Sequence, residues 1–568
     1  MKTSVFSFTV LLAALGAAYL FMRQIPWMGP AYALCFALLL VCLWLSESVL
    51  LKGVFSFGFL RALRCMAWSF IPWFILYLAP LLAARGELNR IQSIKLILGI
   101  AYVTFVYAQA GTFLFLLKNR VFQRRRLDLK RYAFILFMFV LTVYLALACW
   151  TGSVIKPTGD EPFYLLAAQS LIYDHDLDIS NNYLSRQWRA YLPARYELSV
   201  WESPRRDGRI YLEERVLFIL HTAFWYLIAG STGVFLGQAL VSSGVILLTF
   251  LLLVKAGFEE VRSFWISVLA AFCEPMITMS SRIYHNTFGA LLAGAAFLCL
   301  AFIPRPGMKN AFLCLIPLLA LPWFHTSYAA LSLSIFALLV WKYRAKPGVL
   351  LFASSACFVN AFLFVLFRGH IREGASGLNA VEQYQLTAHV YRSLLALLFD
   401  QETGLFFHAP VYLLSFSGVA AMFWTDRARR LGWLAVCFFS LYLILQGSVP
   451  AFGGGFDTGR LLIPFIPFAA LFLARACEAG HLRRLVGVLA ALSLVWGYLL
   501  TAAAWLAVNY EVGRHLIMRQ FARLGPDPGR FLPSFIIPGQ EHYAGCALAL
   551  GVVILLGAGL KERFSWNG

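Results

Sequence analysis

Long, unbroken runs of apolar residues separated by short charged links dominate this chain. Because apolar and polar positions do not alternate within the runs, the pattern predicts helices rather than strands. Most runs approach the roughly 20 residues that a helix needs to cross a bilayer, which predicts about 16 membrane spans in an all-α polytopic integral membrane protein. The predicted spans are residues 5–22, 30–50, 64–84, 96–117, 132–150, 234–254, 263–281, 285–303, 310–322, 323–341, 349–367, 409–424, 431–446, 460–476, 485–507 and 543–560.

The order of these runs divides the chain into three regions. We expect a four-span membrane module at residues 1–131 and a membrane core at residues 132–480. Residues 481–568 should contribute C-terminal spans and an outer loop. The core carries a water-facing loop, residues 151–215, whose roughly sixty residues are too few for a domain of its own.

Three segments of the core carry more local expectations. Residues 160–174 are expected to form an amphipathic helix on the bilayer surface, since Pro162 suits a first helical turn. Residues 209–212 predict a short strand. Residues 216–229 are apolar but too short to span, and the glycines and hydroxyl residues at 230–233 should break the chain, which indicates a re-entrant or interfacial segment.

Composition favours the same class of protein. The chain is 61% hydrophobic and 13% charged, whereas a soluble domain carries about 25% charged residues. Lipid cannot form hydrogen bonds with backbone N–H and C=O groups. A membrane span must therefore pair these groups internally, as an α-helix does. The 11 cysteines lie in or at the ends of apolar runs and predict no disulfide framework and no metal site.

The net charge of +20 would suggest nucleic acid in a soluble protein. Here most Lys and Arg lie in short links between spans, as the positive-inside rule predicts. The link 118–131 is the strongest cytoplasmic marker and places residues 151–215 on the outer side. We therefore expect membrane lipid as a partner and no nucleic acid.

Two adjacent acids, Asp160 and Glu161, stand where an apolar run meets the outer loop. Acids at a membrane boundary are unfavourable unless they are paired or used. A carboxylate in a partly dry cleft can take a proton from a hydroxyl acceptor. A helix N-cap followed by a first-turn acid would explain the same two residues, and the residues alone leave both interpretations open.

Other candidates fall on the same outer face. Arg460 follows a glycine run and opens a span, so it could bind a phosphate through both of its terminal nitrogens or extend to lipid headgroups. For His285 a functional and a structural role are equally compatible with the sequence. The chain has no zinc-protease, paired-cysteine or dinucleotide motif. The remaining candidates for substrate binding are Tyr164, Arg282, Asn286, Arg368 and Glu402.

The segment Gly159-Asp160-Glu161-Pro162 continuing to Ala168, with residues 176–183 after it, resembles the first outer loop of bacterial GT-C glycosyltransferases. These polytopic enzymes are similar to the protein O-mannosyltransferases and the lipid A aminoarabinose transferase. Residues 404–412 and 454–464 resemble later segments, and the similarity covers roughly residues 132–480. It implies a GT-C-like helical bundle with a large first extracytoplasmic loop.

The resemblance also implies an activity. An inverting enzyme of this group moves a hexosyl or pentosyl unit from a polyprenyl-phosphate sugar to a hydroxyl of a glycan, lipid or protein, outside the bacterial inner (plasma) membrane. It implies Asp160 as base, Glu161 in support and Arg460 at the donor phosphate. A metal is optional, because a phosphate already on the lipid is a fair leaving group. A divalent metal has no supporting pattern, since the position after Pro162, often His in the group, is Phe163.

Two other classes of function stay open. A transporter or flippase for cell-envelope glycans would favour charges and broken helices near the bilayer midplane, often with repeated halves. The charges here crowd at one face, and no repeat is visible. A non-catalytic scaffold or polymerase-type partner in polysaccharide export would tolerate Asp160→Asn, whereas an enzyme that uses this base would not.

Overall fold

A computed structural model describes residues 102–104, 106–115, 117, 128–192, 197–198, 208–212, 215–302, 308–372, 390–424, 426–447, 459–479, 482–502, 518, 528–535 and 539–558. The first three predicted spans, most of the basic link and the glycines at 453–455 lie outside the described residues. Helix dominates, and within the described ranges β-structure is limited to an isolated antiparallel bridge between Asp178 and Tyr211. The strand predicted at 209–212 was therefore wrong, because only one of its residues pairs.

The helices of the described ranges are numbered here in chain order. They are α1 (Leu129–Val154), α2 (Glu161–Gln169), α3 (Ser180–Leu184), α4 (Val216–Lys255), α5 (Glu260–Phe272), α6 (Met276–Met279), α7 (Asn286–Phe302), α8 (Met308–Phe324), α9 (Ala329–Tyr343), α10 (Pro347–Arg372), α11 (Val390–Phe399), α12 (Leu405–His408), α13 (Ser415–Trp424), α14 (Asp426–Gly447), α15 (Ile466–Ala476), α16 (Arg483–Ala502) and α17 (Tyr543–Ala558). A 3₁₀ turn, Arg460–Phe465, leads into α15.

Within the described ranges, six helical segments are long and apolar enough to cross a membrane, which indicates an integral membrane protein. They are Leu129–Gly152, Val216–Lys255, Thr326–Tyr343, Pro347–His370, Arg429–Gly447 and Arg483–Ala502. The all-α class is confirmed for the described part of the chain. The total of about 16 spans and the three-region division stay predictions.

Helix α4 lies at the centre of the bundle. It packs on α1, α2, α5, α7 and α15, and α7 in turn packs on the 3₁₀ turn Arg460–Phe465. Helix α10 is at the other extreme, since its side chains are largely exposed along its apolar length. Such a surface is suited to contact with lipid rather than water. The bundle therefore brings the N-terminal ends of α2, α4 and α7 and the turn before α15 close to one another.

A sharp break divides α4 into two helical pieces. Ala229 and Gly230 depart from helical dihedrals, and Gly230 has φ 61° with ψ −150°, a combination that is open to glycine. The chain folds back so far that a Cβ on Gly233 would lie 2.0 Å from the carbonyl oxygen of Trp225. The break predicted at residues 230–233 is thus confirmed, and it begins at Ala229, one residue before Gly230.

The predicted surface helix at 160–174 was wrong in one respect. Residues Glu161–Gln169 are helical and continue into a π-helical turn, Ser170–Asp174, but every residue of α2 is buried. The Tyr191 hydroxyl donates to the carbonyl oxygen of Pro162 at 3.1 Å, so the outer loop folds over this helix. Helix α2 is therefore part of the protein core and does not lie on a bilayer surface.

We predict that Gly233→Ala lowers the free energy of unfolding by about 1–3 kcal/mol, because the new methyl group would overlap a backbone carbonyl that cannot turn away. Thermal unfolding of the detergent-solubilised protein would measure the change. Gly244→Ala in the same helix is the matched control, since its methyl group would meet Leu291 at an ordinary 3.5 Å. Equal stability of the two variants would contradict the fold-back at Gly230.

Candidate active site

Glu161 is completely buried and is surrounded by donors. Its Oε2 accepts the backbone N–H of Thr158 at 2.8 Å and Nη1 of Arg282 at 3.3 Å. Its Oε1 accepts the backbone N–H of Ile283 at 2.7 Å. Arg282 is 3% exposed and also donates Nη2 to the Thr158 hydroxyl at 3.2 Å. The carboxylate thus joins the loop before α2 to the turn before α7, which is a positioning role.

Asp160, the adjacent acid, has a different environment. Gly159 turns the chain with φ 57°, and Asp160 then occupies the N-cap of α2 without a side-chain capping bond. Its side chain is 43% exposed, and Oδ2 lies 3.5 Å from Nη1 of Arg215. The Tyr164 hydroxyl donates to the same oxygen at 3.4 Å and accepts from Arg215. The carboxylate is therefore oriented on one side and accessible on the other.

Two arginines lie over two neighbouring tyrosine rings. The guanidinium carbon of Arg215 is 5.4 Å from the centroid of Tyr164, and that of Arg460 is 4.2 Å from the centroid of Tyr284. The two rings meet edge to face with centroids 6.3 Å apart. Such cation–π contacts orient a guanidinium without neutralising it. The pair creates a positive region next to Asp160.

A stacked pair of histidines adjoins this region. The rings of His285 and His325 have centroids 4.3 Å apart and planes 11° apart. Nδ1 of His285 lies 2.9 Å from the Tyr328 hydroxyl. Nδ1 of His325 accepts the backbone N–H of Ser327 at 3.2 Å and contacts its hydroxyl at 2.7 Å.

Burial and nearby positive charge keep both imidazoles neutral. Burial lowers the pKa of His285 well below its usual range, and His325, Arg215 and Arg460 lower it further. Burial also lowers the pKa of His325, again with Arg215 and Arg460 contributing. Arg460 lies over the ring of Tyr284, the residue directly before His285, which places this guanidinium in the same part of the fold as the histidine pair.

Neighbouring residues position the turn that carries His285. Nε2 of Gln238, in α4, donates to the carbonyl oxygen of Tyr284 at 2.9 Å and to the Thr287 hydroxyl at 2.7 Å. Asn286 is 1% exposed, and its Oδ1 has no hydrogen-bond partner among the described residues. Tyr284, His285 and Asn286 therefore all belong to the site.

Glu402 is brought near Arg460 through the backbone. The carboxylate of Asp400 accepts the N–H groups of Glu402 at 2.7 Å and Thr403 at 3.2 Å, which fixes a tight buried turn. The carbonyl oxygen of Thr403 then accepts the N–H of Gly459, the residue before Arg460, at 3.0 Å. Glu402 itself is 3% exposed, so the turn is part of the floor of the site.

Arg368 has a different location. It lies near the end of α10, and α10 packs mainly on α8 and α9 rather than on the elements that carry Asp160 and Arg460. The aromatic contacts at this end join Trp323 to Phe364 and Phe367. The inclusion of Arg368 among the substrate-binding residues stays a prediction.

The sequence interpretation missed Arg215, His325 and Tyr328. Arg215 directly precedes an apolar helix on the outer face, which is the same signal that marked Arg460. His325 falls near the start of the predicted span 323–341 and belongs to no motif. Among the described residues no group of three or more His, Cys, Asp or Glu side chains could hold a metal ion.

Comparison with known proteins provides no relative for this chain. No protein family, curated protein or solved structure matches it. The class defined by its fold is an all-helical membrane protein, and its function has to be argued from the site.

We predict effects of very different size on stability for substitutions of the two adjacent acids. Glu161→Gln removes the buried partner of Arg282, and an uncompensated buried charge of this kind destabilises by about 3–5 kcal/mol. Asp160→Asn should change stability by less than about 1 kcal/mol, because its ion pair is partly exposed. Thermal unfolding of both variants would measure the difference, and equal losses would refute the distinct roles of the two residues.

Proposed function

We propose that this protein is a membrane glycosyltransferase that moves a sugar from a polyprenyl-phosphate donor to a hydroxyl acceptor. The observation that carries the proposal is the accessible carboxylate of Asp160 beside the half-buried Arg215 and Arg460, each of which lies over a tyrosine ring. A base next to an anion-binding group is what such a transfer needs. The acid activates the acceptor, and the positive groups stabilise the departing phosphate.

In the proposed reaction Asp160 takes the proton of the acceptor hydroxyl. The acceptor oxygen forms a bond to the anomeric carbon while the bond from that carbon to the phosphate oxygen breaks. The bonding electron pair leaves with the phosphate, and attack from the opposite side inverts the anomeric centre. The single acid in this position fits an inverting displacement, since Glu161 is 0% exposed and already bound by donors.

The phosphate would lie near Arg460 and Arg215. Charge-assisted hydrogen bonds from guanidinium groups are short and strong. Two such groups can stabilise the negative charge that develops on the phosphate as it leaves the sugar. Arg215 contacts the proposed base directly, because it donates a hydrogen bond to the Tyr164 hydroxyl and forms an ion pair with Asp160. When Asp160 gains the acceptor proton it becomes neutral, and the Arg215 charge is then available to the phosphate.

The donor lipid has a route to this cluster from the side of the bundle. The ring of Phe218, in α4, contacts Tyr164 at 4.9 Å and His285 at 6.0 Å between centroids. Along the same half of α4, Leu220, Phe224, Leu227 and Ile228 are exposed. An isoprenoid chain can follow such an apolar surface while its phosphate enters the polar cluster. We assign the site to the outer face of a bacterial inner membrane.

We predict that Asp160→Asn lowers turnover of a polyprenyl-phosphate sugar by about 10²–10⁴-fold, the usual contribution of a general base. The purified protein should keep its thermal stability. Glu197→Gln is the matched control, because this exposed acid lies in the same outer loop and pairs only with the solvated Arg189. It should retain full turnover.

If Asp160→Asn kept full turnover, the assignment of Asp160 as the general base would be wrong. Absence of any transfer by the unmodified protein, together with movement of lipid-linked sugar between leaflets of vesicles, would instead favour the flippase. Sugar transfer and movement of the lipid-linked sugar can both be measured on the same purified preparation.

A further inference from the structure

Helices α9 and α14 pack side by side and run in opposite directions. At one end the ring of Tyr328, just before α9, lies 6.1 Å from the ring of Tyr442, near the end of α14. Tyr328 also contacts His285, so this is the end that carries the candidate active site. The last turn of α9 and the first turns of α14 therefore meet at the end of the bundle opposite Asp160. Each of the two helices includes a segment apolar enough to cross a membrane.

The links between helices at this opposite end are strongly basic. Residues 303–309, 342–348 and 424–430 contain one acid, Asp426, against eight basic residues, which are Arg305, Lys309, Lys342, Arg344, Lys346, Arg427, Arg429 and Arg430. The positive-inside rule predicts such links on the cytoplasmic side of a membrane. Anionic lipids give that side of the bilayer a negative surface potential, which attracts basic segments.

Arg430 differs from the other basic residues because a tryptophan ring orients it. Its guanidinium carbon lies 5.2 Å from the ring centroid of Trp341, which places the two side chains across the contact between α14 and α9. Trp341 is 43% exposed, and Arg430 is exposed as well. Arg344 follows Trp341 by three residues, so it lies on the same face of α9, and it is also exposed. Trp341, Arg344 and Arg430 thus form one basic surface.

Two neighbouring basic residues have other roles. Nζ of Lys342 donates to the carbonyl oxygens of Cys299 at 3.3 Å and Leu300 at 2.6 Å, in the last turn of α7. Nε of Arg429 donates to the carbonyl oxygen of Phe423 at 2.9 Å, in the last turn of α13. Both side chains bind the carbonyl ends of helices, a place that favours positive charge. They support the surface without being part of it.

Among the described residues no acid forms an ion pair with Arg344 or Arg430. A contrast at the same end of the bundle is Arg262, which pairs with Glu478 at 3.0 Å. Asp426 opens α14, at the helix end where a negative charge is favoured. Its one charge offsets a small part of the basic excess, so the surface retains a net positive charge.

Apolar side chains continue from this surface along both helices towards the middle of the bundle. Leu333 and Val340 are exposed on α9, and Trp433 and Leu441 are exposed on α14. Exposed apolar side chains on membrane-crossing helices are suited to lipid chains. Exposed tryptophans such as Trp433 and Trp341 are typical of the level at which membrane meets water. The arginines therefore lie at headgroup level with an apolar surface adjoining them.

We propose that Trp341, Arg344 and Arg430 bind the phosphate headgroup of an anionic phospholipid. The phosphate accepts hydrogen bonds from both guanidinium groups, whose planar donors match its geometry. The acyl chains lie along the exposed apolar side chains of α9 and α14. An anionic headgroup complements the basic links, whereas the ammonium group of a zwitterionic lipid is repelled by them. The site is at the other end of the bundle from Asp160 and does not depend on the proposed function.

Native mass spectrometry of the detergent-solubilised full chain measures this binding. The probes are phosphatidylglycerol and phosphatidylcholine with identical acyl chains. We expect the first phosphatidylglycerol to bind at least about fivefold more tightly than the first phosphatidylcholine, the preference that one basic residue near an anionic headgroup provides. Inorganic phosphate should not displace the bound lipid, because it lacks the acyl chains. Displacement by inorganic phosphate would show a simple anion site and overturn the lipid assignment.

Substitutions separate this surface from the general basic charge of the chain. Arg430→Gln and Arg344→Gln should each weaken binding of the first phosphatidylglycerol about five- to tenfold. Arg483→Gln is the matched control. It removes the same charge from an exposed arginine at the same end of the bundle, at the start of α16, which packs on other helices. It should bind the first lipid as the unmodified protein does.

Equal affinity for the two lipids would overturn the proposal. An equal loss in Arg483→Gln and Arg430→Gln would also overturn it, since general charge would then explain the binding. Unchanged affinity in both Arg430→Gln and Arg344→Gln would have the same consequence. Thermal unfolding checks each variant, and Trp341→Leu, which removes the orienting ring, replaces any arginine variant that does not fold. Sugar transfer at Asp160 is measured separately, so its absence would contradict the proposed function alone.

Discussion

The buried ion pair between Glu161 and Arg282 is the interaction on which the site depends. It joins the start of α2 to the turn before α7, two segments separated by 121 residues in the chain. A buried pair of this kind adds little net stability over an apolar contact, but losing one partner is strongly destabilising. Its consequence is geometric, because it fixes the loop from which Asp160 projects against the turn that carries Tyr284 and His285.

A second constraint follows from the way positive charge is held near Asp160. Arg215 and Arg460 approach from different parts of the chain and each lies over a tyrosine ring. Aromatic faces of this kind orient a guanidinium group. The same charge keeps the stacked histidines neutral. A ligand with negative charge would therefore relieve several unfavourable interactions at once.

The sequence predicted the helical class and the break before Gly233, because apolar length and a cluster of glycines are local signals. It also selected Asp160, but it could not separate the role of Asp160 from that of Glu161, since adjacent residues at a helix start point in different directions. Arg215, His325 and Tyr328 were missed because their importance comes from contacts between distant segments. Arg368 stays a prediction, because a charge at the end of an apolar run does not reveal which helices it packs beside.

A cryo-EM structure of the Asp160→Asn protein with a polyprenyl-phosphate sugar would test the account most directly, since this variant should bind the donor without consuming it. The account predicts a phosphate within about 2.7–3.2 Å of guanidinium nitrogens from both Arg460 and Arg215. It also predicts the anomeric carbon next to residue 160 and the isoprenoid chain along the first half of α4. Density for the phosphate on another face of the bundle would contradict it.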